Sequence, residues 1–485
     1  MGKRRIRPGD TVDGYVIGKL IHSGGMATIW EVSHPDLDMP MLMKAPVLNE
    51  GADPAAIVGF EMEQMILPRL AGLHVPKFIA AGDFMVQPYI VMEQVPGDPL
   101  LKCLKRLPMP YDEVAAIGAK VAVALDSLHH QHVVHLDVKP SNIMIRPTGE
   151  AVLIDYGLAH HDELPDLMAE QFRLPYGTAP YMAPEQVMGH RSDPRSDQFA
   201  LGVLMYFFGT GTRPFGDPQR LSGLKRRLWW DPPPPRALRP DFPQWLQEII
   251  LRCLEVNPAW RYPTGAQLAF ELMNPDQVKL TGRSKRLSRD SFTTVLKRRF
   301  SEDPTAPSRI GTVASFGTNA PIIAVAIDLT EISGPLAEAL RVTVAQLLAS
   351  LPGARVACLN VLKQGVITID TTLDEKGRNK HVQRLVELKH WAEPLNLEEG
   401  RVSFHVLEAP HTATAILRYA RANFVDHIVL GARASSARRT LLGSVSGEVA
   451  THAPCTVTVV RTRRYQRTEY GEGLNEQAED SWTVG

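Results

Sequence analysis

Between Val12 and Met92 the apolar residues come in short alternating runs parted by Gly and Asp, as in Tyr15-Val16-Ile17, Thr28-Ile29-Trp30-Glu31-Val32 and Tyr89-Ile90-Val91-Met92. A period of two marks strands with one buried face, so this stretch predicts a small antiparallel sheet. Ala55 to Leu70 interrupts it, because Ile57, Phe60, Ile66, Leu67 and Leu70 recur at helical spacing, with Glu61 and Glu63 among them. From Tyr111 to about Met273 longer helical patterns take over, for example Val114 to Leu128, Gln198 to Phe208 and Trp245 to Leu254. A sheet-rich lobe thus precedes a helix-rich one.

Between Asn274 and Ala320 the apolar density falls and Ser, Thr, Lys and Arg dominate, the composition of a flexible linker. From Pro321 the rhythm becomes strand, helix, strand. Ile322–Ile327, Val356–Val361, Val402–Val406, His427–Leu430 and Val457–Val460 read as strands, separated by helical stretches at Leu336–Leu351, His381–Trp391, Ala413–Ala422 and Val445–Ala450. That alternation predicts a doubly wound, mainly parallel sheet of about five strands. The units are then an N-terminal segment 1–14, a bilobal α+β unit 15–273 (lobes about 15–92 and 96–273), a basic linker 274–320, an α/β unit 321–463 and a polar, acidic tail 464–485 of disordered composition.

Length agrees, since 485 residues exceed the roughly 250–300 that one hydrophobic core organises. Lys plus Arg and Asp plus Glu both number 53, which argues against a globally basic nucleic-acid binder. The balance is uneven along the chain: residues 1–273 carry 26 basic and 31 acidic side chains, and residues 274–320 carry 9 and 4. A basic linker beside an acidic unit is placed to dock back on it, and phosphate on the linker would weaken that docking. Cys103, Cys253, Cys358 and Cys455 lie far apart with no CxxC pair, the usage of a reducing cytosol. The basic start leads into no apolar stretch, Ile6 breaks the myristoylation pattern, and no run of 18 apolar residues occurs, so a soluble cytoplasmic protein is expected.

The densest chemistry is His135-Leu136-Asp137-Val138-Lys139-Pro140-Ser141-Asn142, followed thirteen residues after Asn142 by Asp155-Tyr156-Gly157. Carboxylates and an amide at this spacing suit two Mg²⁺ ions, with a separate Asp at an attacking hydroxyl. Residues from about Tyr15 to Met273 resemble the protein serine/threonine kinases of the bacterial soluble type. Gly177-Thr178-Ala179-Pro180-Tyr181-Met182-Ala183-Pro184-Glu185 resembles the end of the activation segment, Asp197 the start of a family helix, and Arg261 the arginine that pairs with Glu185. The resemblance implies that Asp137 orients the substrate hydroxyl and that Asn142 and Asp155 hold Mg²⁺. It implies that Lys139 neutralises the moving phosphoryl group, and that Lys44 grips the ATP phosphates and pairs with a helix glutamate. Glu63 fits that pattern better than Glu61. Gly24, Glu93 and Val95 complete the implied ATP site. Four neighbouring histidines, His129, His130, His132 and His135, lack acidic or thiol partners nearby in sequence, and no metal beyond Mg²⁺ is expected.

Several positions depart from the family pattern. His22 and Ala27 replace two loop glycines, leaving Gly24, and Leu42 replaces a small residue beside the adenine. These favour the rival reading, a pseudokinase or nucleotide-sensing scaffold without phosphotransfer. None of them removes a group that touches Mg²⁺ or the transferred phosphoryl, so an active enzyme is expected. Leu136 stands where the family has an arginine that binds a phosphorylated activation loop, and Leu158 to Gly177 holds no Ser or Thr, with Tyr176 its one hydroxyl residue. Activity independent of loop phosphorylation follows.

Near the C-terminus, Gly431-Ala432-Arg433-Ala434, Gly443-Ser444 and the strand Val457–Val460 resemble the universal stress protein family over about Ala320 to Arg463, with Asp328 at its acidic position. The ATP-binding branch of that family implies Asp328, Gly431, Gly443 and Ser444 as nucleotide contacts. Here Ala434 replaces a motif glycine, with eight residues before Gly443, while Arg433, Arg438 and Arg439 supply compensating charge. A purely structural role for Gly431 and Gly443 stands beside the nucleotide reading. No nucleophile and base pair is present, so a regulatory or dimerising domain is expected, and the resemblance implies a homodimer. Ser288 and Ser291, each two residues after an arginine, are candidate autophosphorylation sites, with a plain solvated spacer as the alternative. The sequence thus reads as a protein kinase acting on protein Ser/Thr hydroxyls with ATP, regulated by its stress-protein domain.

Overall fold

The computed structural model describes residues 6–48, 53–84, 86–172, 175–289, 292–299, 321–329, 334–351, 353–363, 379–398, 401–432 and 443–461. Ser291, residues 300–320, Arg433, Ala434, Arg438, Arg439 and the tail lie outside the described residues.

The alternating N-terminal pattern forms β1 (Thr11–Val12), β2 (Tyr15–Ser23), β3 (Ala27–His34), β4 (Leu37–Pro46), β5 (Phe78–Gly82) and β6 (Tyr89–Glu93). They make one antiparallel sheet in the order β1-β2-β3-β4-β6-β5. In β4 the period of two buries Met41, Met43 and Ala45 on one face and leaves Leu42 and Lys44 on the other. Between β4 and β5 runs α1 (Pro54–Ile66), started by Pro54 and by the Asp53 carboxylate, which accepts from Ala55 N–H. It ends four residues short of the expected Leu70, because Pro68 cannot continue the helical ladder and the chain tightens into a 3-10 turn, Leu67–Arg69.

The second lobe is built on α2 (Tyr111–His129) and the helix Arg195–Thr210, both buried along most of their length. Gly118 lets α2 approach the second helix closely: a Cβ there would lie 2.5 Å from Met205 Sδ. Two short strands, Ile143–Ile145 and Ala151–Leu153, pair antiparallel and bracket the loops carrying Asn142 and Asp155. A short helix, α3 (Leu167–Gln171), lies between Asp155 and Glu185.

The first part of the segment expected as a flexible linker packs on the second lobe. Residues 275–289 lie against the acidic face of the helix Gln244–Cys253: Thr281 N–H and Ser284 N–H donate to Glu248 Oε2 at 3.0 Å each, and Gln247 Nε2 donates to the carbonyls of Arg283 and Arg286. Arg283 pairs with Glu248 and Glu255, and Arg286 with Asp231. The basic excess of the segment is thus matched to carboxylates that sequence separation hides. A further helix, Phe292–Arg299, follows, with Arg299 over the Trp229 ring.

The C-terminal domain is a five-stranded, all-parallel sheet, ordered Val402–Ala409, Arg355–Lys363, Ile322–Ala326, His427–Gly431, Thr456–Val460. Helices Pro335–Ser350, Lys380–Ala392, Thr412–Ala422 and Ser444–His452 cover its faces. The architecture is the bilobal α+β unit followed by an α/β doubly wound domain.

Candidate active site

Asp197 organises the site from beneath. Its carboxylate is fully buried and accepts from His135 N–H and Leu136 N–H at 2.8 Å each, and from His129 Nε2 at 3.0 Å. Three donors satisfy a charge that burial alone would penalise heavily. They also hold Leu136 at φ 62°, turning the chain so that Asp137 is presented on the opposite side. The Leu136 side chain is buried, and Gln186 Nε2 caps its carbonyl at 2.8 Å.

Asp137 is held by three side chains. Lys139 Nζ lies 2.6 Å from Oδ2, Asn142 Nδ2 donates to Oδ2 at 2.9 Å, and Thr178 Oγ1 donates to Oδ1 at 2.8 Å. Lys139 also reaches Thr178 Oγ1 at 3.0 Å. The Thr178 hydroxyl thus bridges the two charged residues, a task the sequence reading did not assign, although Thr178 stood inside its activation-segment motif.

On the facing lobe Lys44 Nζ lies 2.5 Å from Glu63 Oε2 and 2.8 Å from Asp155 Oδ1. Burial works against the Lys44 ammonium, but the charges of Asp155 and Glu63 outweigh it and raise its pKa above the ordinary lysine value. Burial likewise opposes ionisation of Asp155, yet Lys44 draws its carboxyl below the usual range. Asp155 sits at φ 70°, between the strand Ala151–Leu153 and Tyr156, whose ring packs on His135 at 5.2 Å. The structure thus gathers Lys44, Glu63, Asp137, Lys139, Asn142 and Asp155 from β4, α1 and two loops into one cleft. Asn142, with its amide nitrogen turned to Asp137, and Asp155 offer hard oxygen donors, a donor set that fits Mg²⁺.

Gly24 lies in the β2–β3 turn, where its N–H donates to Ala27 O at 3.0 Å, and a Cβ there would meet His22 Nε2 at 3.1 Å. Glu93 ends β6. Its carboxylate takes a two-pronged contact from Arg146 and the Lys77 N–H, so its side chain is committed away from any ligand. Val95 follows, buried. Three of the four histidines do find acidic neighbours, but as separate pairs: His129 with Asp197, His130 with Asp126, His132 with Asp162. His135 instead contacts the Ile154 carbonyl.

In the C-terminal domain Asp328 follows the strand Ile322–Ala326, and Gly443 caps the helix Ser444–His452, accepting from Gly447 N–H at 2.8 Å. Gly431 has a packing reason for lacking a side chain: a Cβ would lie 2.7 Å from Leu336 Cδ2.

Comparison with known proteins follows the same division. Residues 15–273 match the protein kinase domain, and residues 321–461 match the universal stress protein family. The chain is 33% identical over 336 residues to the serine/threonine-protein kinase PknA of Mycobacterium tuberculosis, covering 65% of this chain and 76% of that protein. It is 32% identical over 259 residues to PknL of Mycobacterium bovis, covering 53% of this chain and 64% of PknL. A solved PknI kinase domain from M. tuberculosis is similar at 26% identity and a TM-score of 0.45, over 56% of this chain and 100% of that one.

Proposed function

The chain belongs to the protein kinase family and is a serine/threonine protein kinase with a C-terminal universal stress protein domain, and from that premise we propose how its residues divide the work. The carrying observation is Asp137, bonded at once to Lys139, Asn142 and Thr178. Asp137 orients the substrate hydroxyl and accepts its proton. Lys139 sits beside it to offset negative charge on the phosphoryl group in flight. Lys44, kept cationic and aimed by Glu63, grips the nucleotide phosphates, and the backbone of Glu93 and Val95 meets the base. Asn142 and Asp155 are the residues that would hold Mg²⁺, which supplies charge neutralisation across the phosphates when bound. Gly24 lets the β2–β3 turn approach the phosphates.

A radiolabelled ATP assay on protein substrate tests this. Asp137→Asn is expected to lower turnover by about 10²–10⁴-fold, the usual range for a lost acid–base group. Lys44→Met is expected to lower turnover as well and also to lower the melting temperature, because it leaves the buried Glu63 carboxylate without its partner. Equal activity in wild type and both variants would sink the assignment and leave a scaffold. Mapping phosphosites on wild-type and Asp137→Asn protein tests the linker: phosphate on exposed Ser288 or on Ser291 in the first alone supports autophosphorylation. The nucleotide reading of the C-terminal domain rests on Asp328, Gly431, Gly443 and Ser444. Titrating ATP against Gly443→Val protein with the kinase site blocked tests it, and absence of saturable binding in both proteins overturns it.

A further inference from the structure

The stress-protein domain grips two parts of the kinase whose positions govern activity, α1 and the activation segment. Glu170 of α3 is 7% exposed, and its side-chain partners come from the C-terminal domain. Arg355 Nη2 lies 2.5 Å from Oε1, His405 Nε2 lies 2.8 Å from Oε2, and Tyr419 Oη donates to Oε2 at 2.8 Å. Backbone contacts lock the same turn: Asn423 Nδ2 donates to Glu170 O at 3.3 Å, and Gln171 Nε2 to Val406 O at 2.9 Å. At α1, Lys389 Nζ lies 2.8 Å from Glu61 Oε1 and over the rings of Phe84 and Phe404, at 4.6 and 5.7 Å. Glu61 is buried, two residues before Glu63. One helix is therefore held by Lys44 through Glu63 and by the C-terminal domain through Glu61, while α3 packs against that same helix.

We propose that the C-terminal domain is an activating clamp in cis, which holds α1 and the activation segment in the arrangement that closes Lys44 on Glu63. Resting on the kinase reading above, this gives the regulation its sign. With the domain seated, Lys44 reaches Glu63 and Asp155, and Thr178 bridges Asp137 and Lys139, so release of the domain removes support from an assembled site. The clamp also explains Leu136. A phosphorylated activation segment needs an anion on the loop and a cation to receive it. Here Glu170 is the anion, built in, and the Arg355 guanidinium receives it from the other domain, with His405 and Tyr419 bonded to its second oxygen. Burial alone would raise the Glu170 carboxyl, but His405 and Arg355 bring it down to about 2, so the carboxylate stays charged through the physiological range. Lys389 and Glu170 are positioning residues, acting through α1 and α3.

The full-length chain tests this by charge exchange. Lys389→Glu and Glu61→Lys are each expected to lower kcat roughly 3- to 30-fold, with KM for ATP changed by less than about twofold. The double variant, which restores an ion pair with its charges swapped, is expected to recover most of the loss. Glu170→Gln keeps the shape and loses the charge, and is expected to lower kcat similarly. Should Glu170→Gln melt early, Lys389→Met, on a partly exposed side chain, supplies the same reading. Unchanged or raised kcat in the single variants, or a double variant no better than the singles, overturns the clamp. Wild-type protein without phosphotransfer would instead overturn the kinase mechanism, so the two failures are distinguishable.

Discussion

Arg261 closes on Glu185 with both arms of its guanidinium, Nη1 at 2.6 Å from Oε1 and Nη2 at 2.8 Å from Oε2, and both side chains are buried. The remaining donors go to the carbonyls of Glu255, Arg195 and Val256, and Ser196 Oγ donates to Glu185 Oε1. The pair ties the end of the activation segment to the base of the second lobe. Removing one partner strands a buried charge, so Arg261→Met is expected to cost about 3–5 kcal/mol in urea unfolding. Arg261→Lys should recover little, because an ammonium cannot reproduce the fork. A loss below about 1 kcal/mol in either variant would show that the pair contributes as a surface bridge does.

Activity should not depend on activation-loop phosphate. The Leu136 side chain is buried beneath the loop and holds no charge, and the loop from Leu158 to Gly177 offers no Ser or Thr. Phosphatase treatment of purified protein is expected to leave kcat unchanged. If it abolished activity and autophosphorylation restored it, the reading would fail.

His160 gives the activation segment a pH dependence. Burial lowers its pKa, but hydrogen bonds to Asp162 and Asp166 prevail and raise it to about 9, while Arg191 shares the same Asp166 oxygen, Oδ2. A folded pKa above the unfolded value means the stabilisation is complete below about pH 6.5 and is lost as pH rises through about 9. The melting temperature should therefore fall between these values more steeply in wild type than in His160→Gln. Parallel curves would remove His160 from the account.

A methyl group at Gly431 should cost stability. Its Cβ would stand 2.7 Å from Leu336 Cδ2, so Gly431→Ala is expected to destabilise the C-terminal domain by about 1–3 kcal/mol, the cost of overpacking, measured by hydrogen exchange of the strand His427–Gly431. Unchanged protection would mean that the helix Pro335–Ser350 moves aside freely.

What the amino-acid order determined by itself was local. Periods of two and 3.6 placed the two lobes and the parallel sheet, because which face of an element is apolar is written in its own residues. The spacing around Asp137, Asn142 and Asp155 showed the chemistry, because these residues are carried by short loops of set reach. Other features depended on partners far along the chain. Glu61 and Glu63 look alike on α1, yet one meets Lys44 and the other Lys389. Thr178 bridges Asp137 and Lys139 only once the activation segment folds back. Arg283 and Arg286, read as linker charge, find Glu248, Glu255 and Asp231. Glu170 looks like one more acidic residue of a polar loop until Arg355, His405 and Tyr419 surround it. Periodicity records which side of an element is buried, but the Coulomb and hydrogen-bond partners of a buried charge depend on distance in space, and only the tertiary structure decided those.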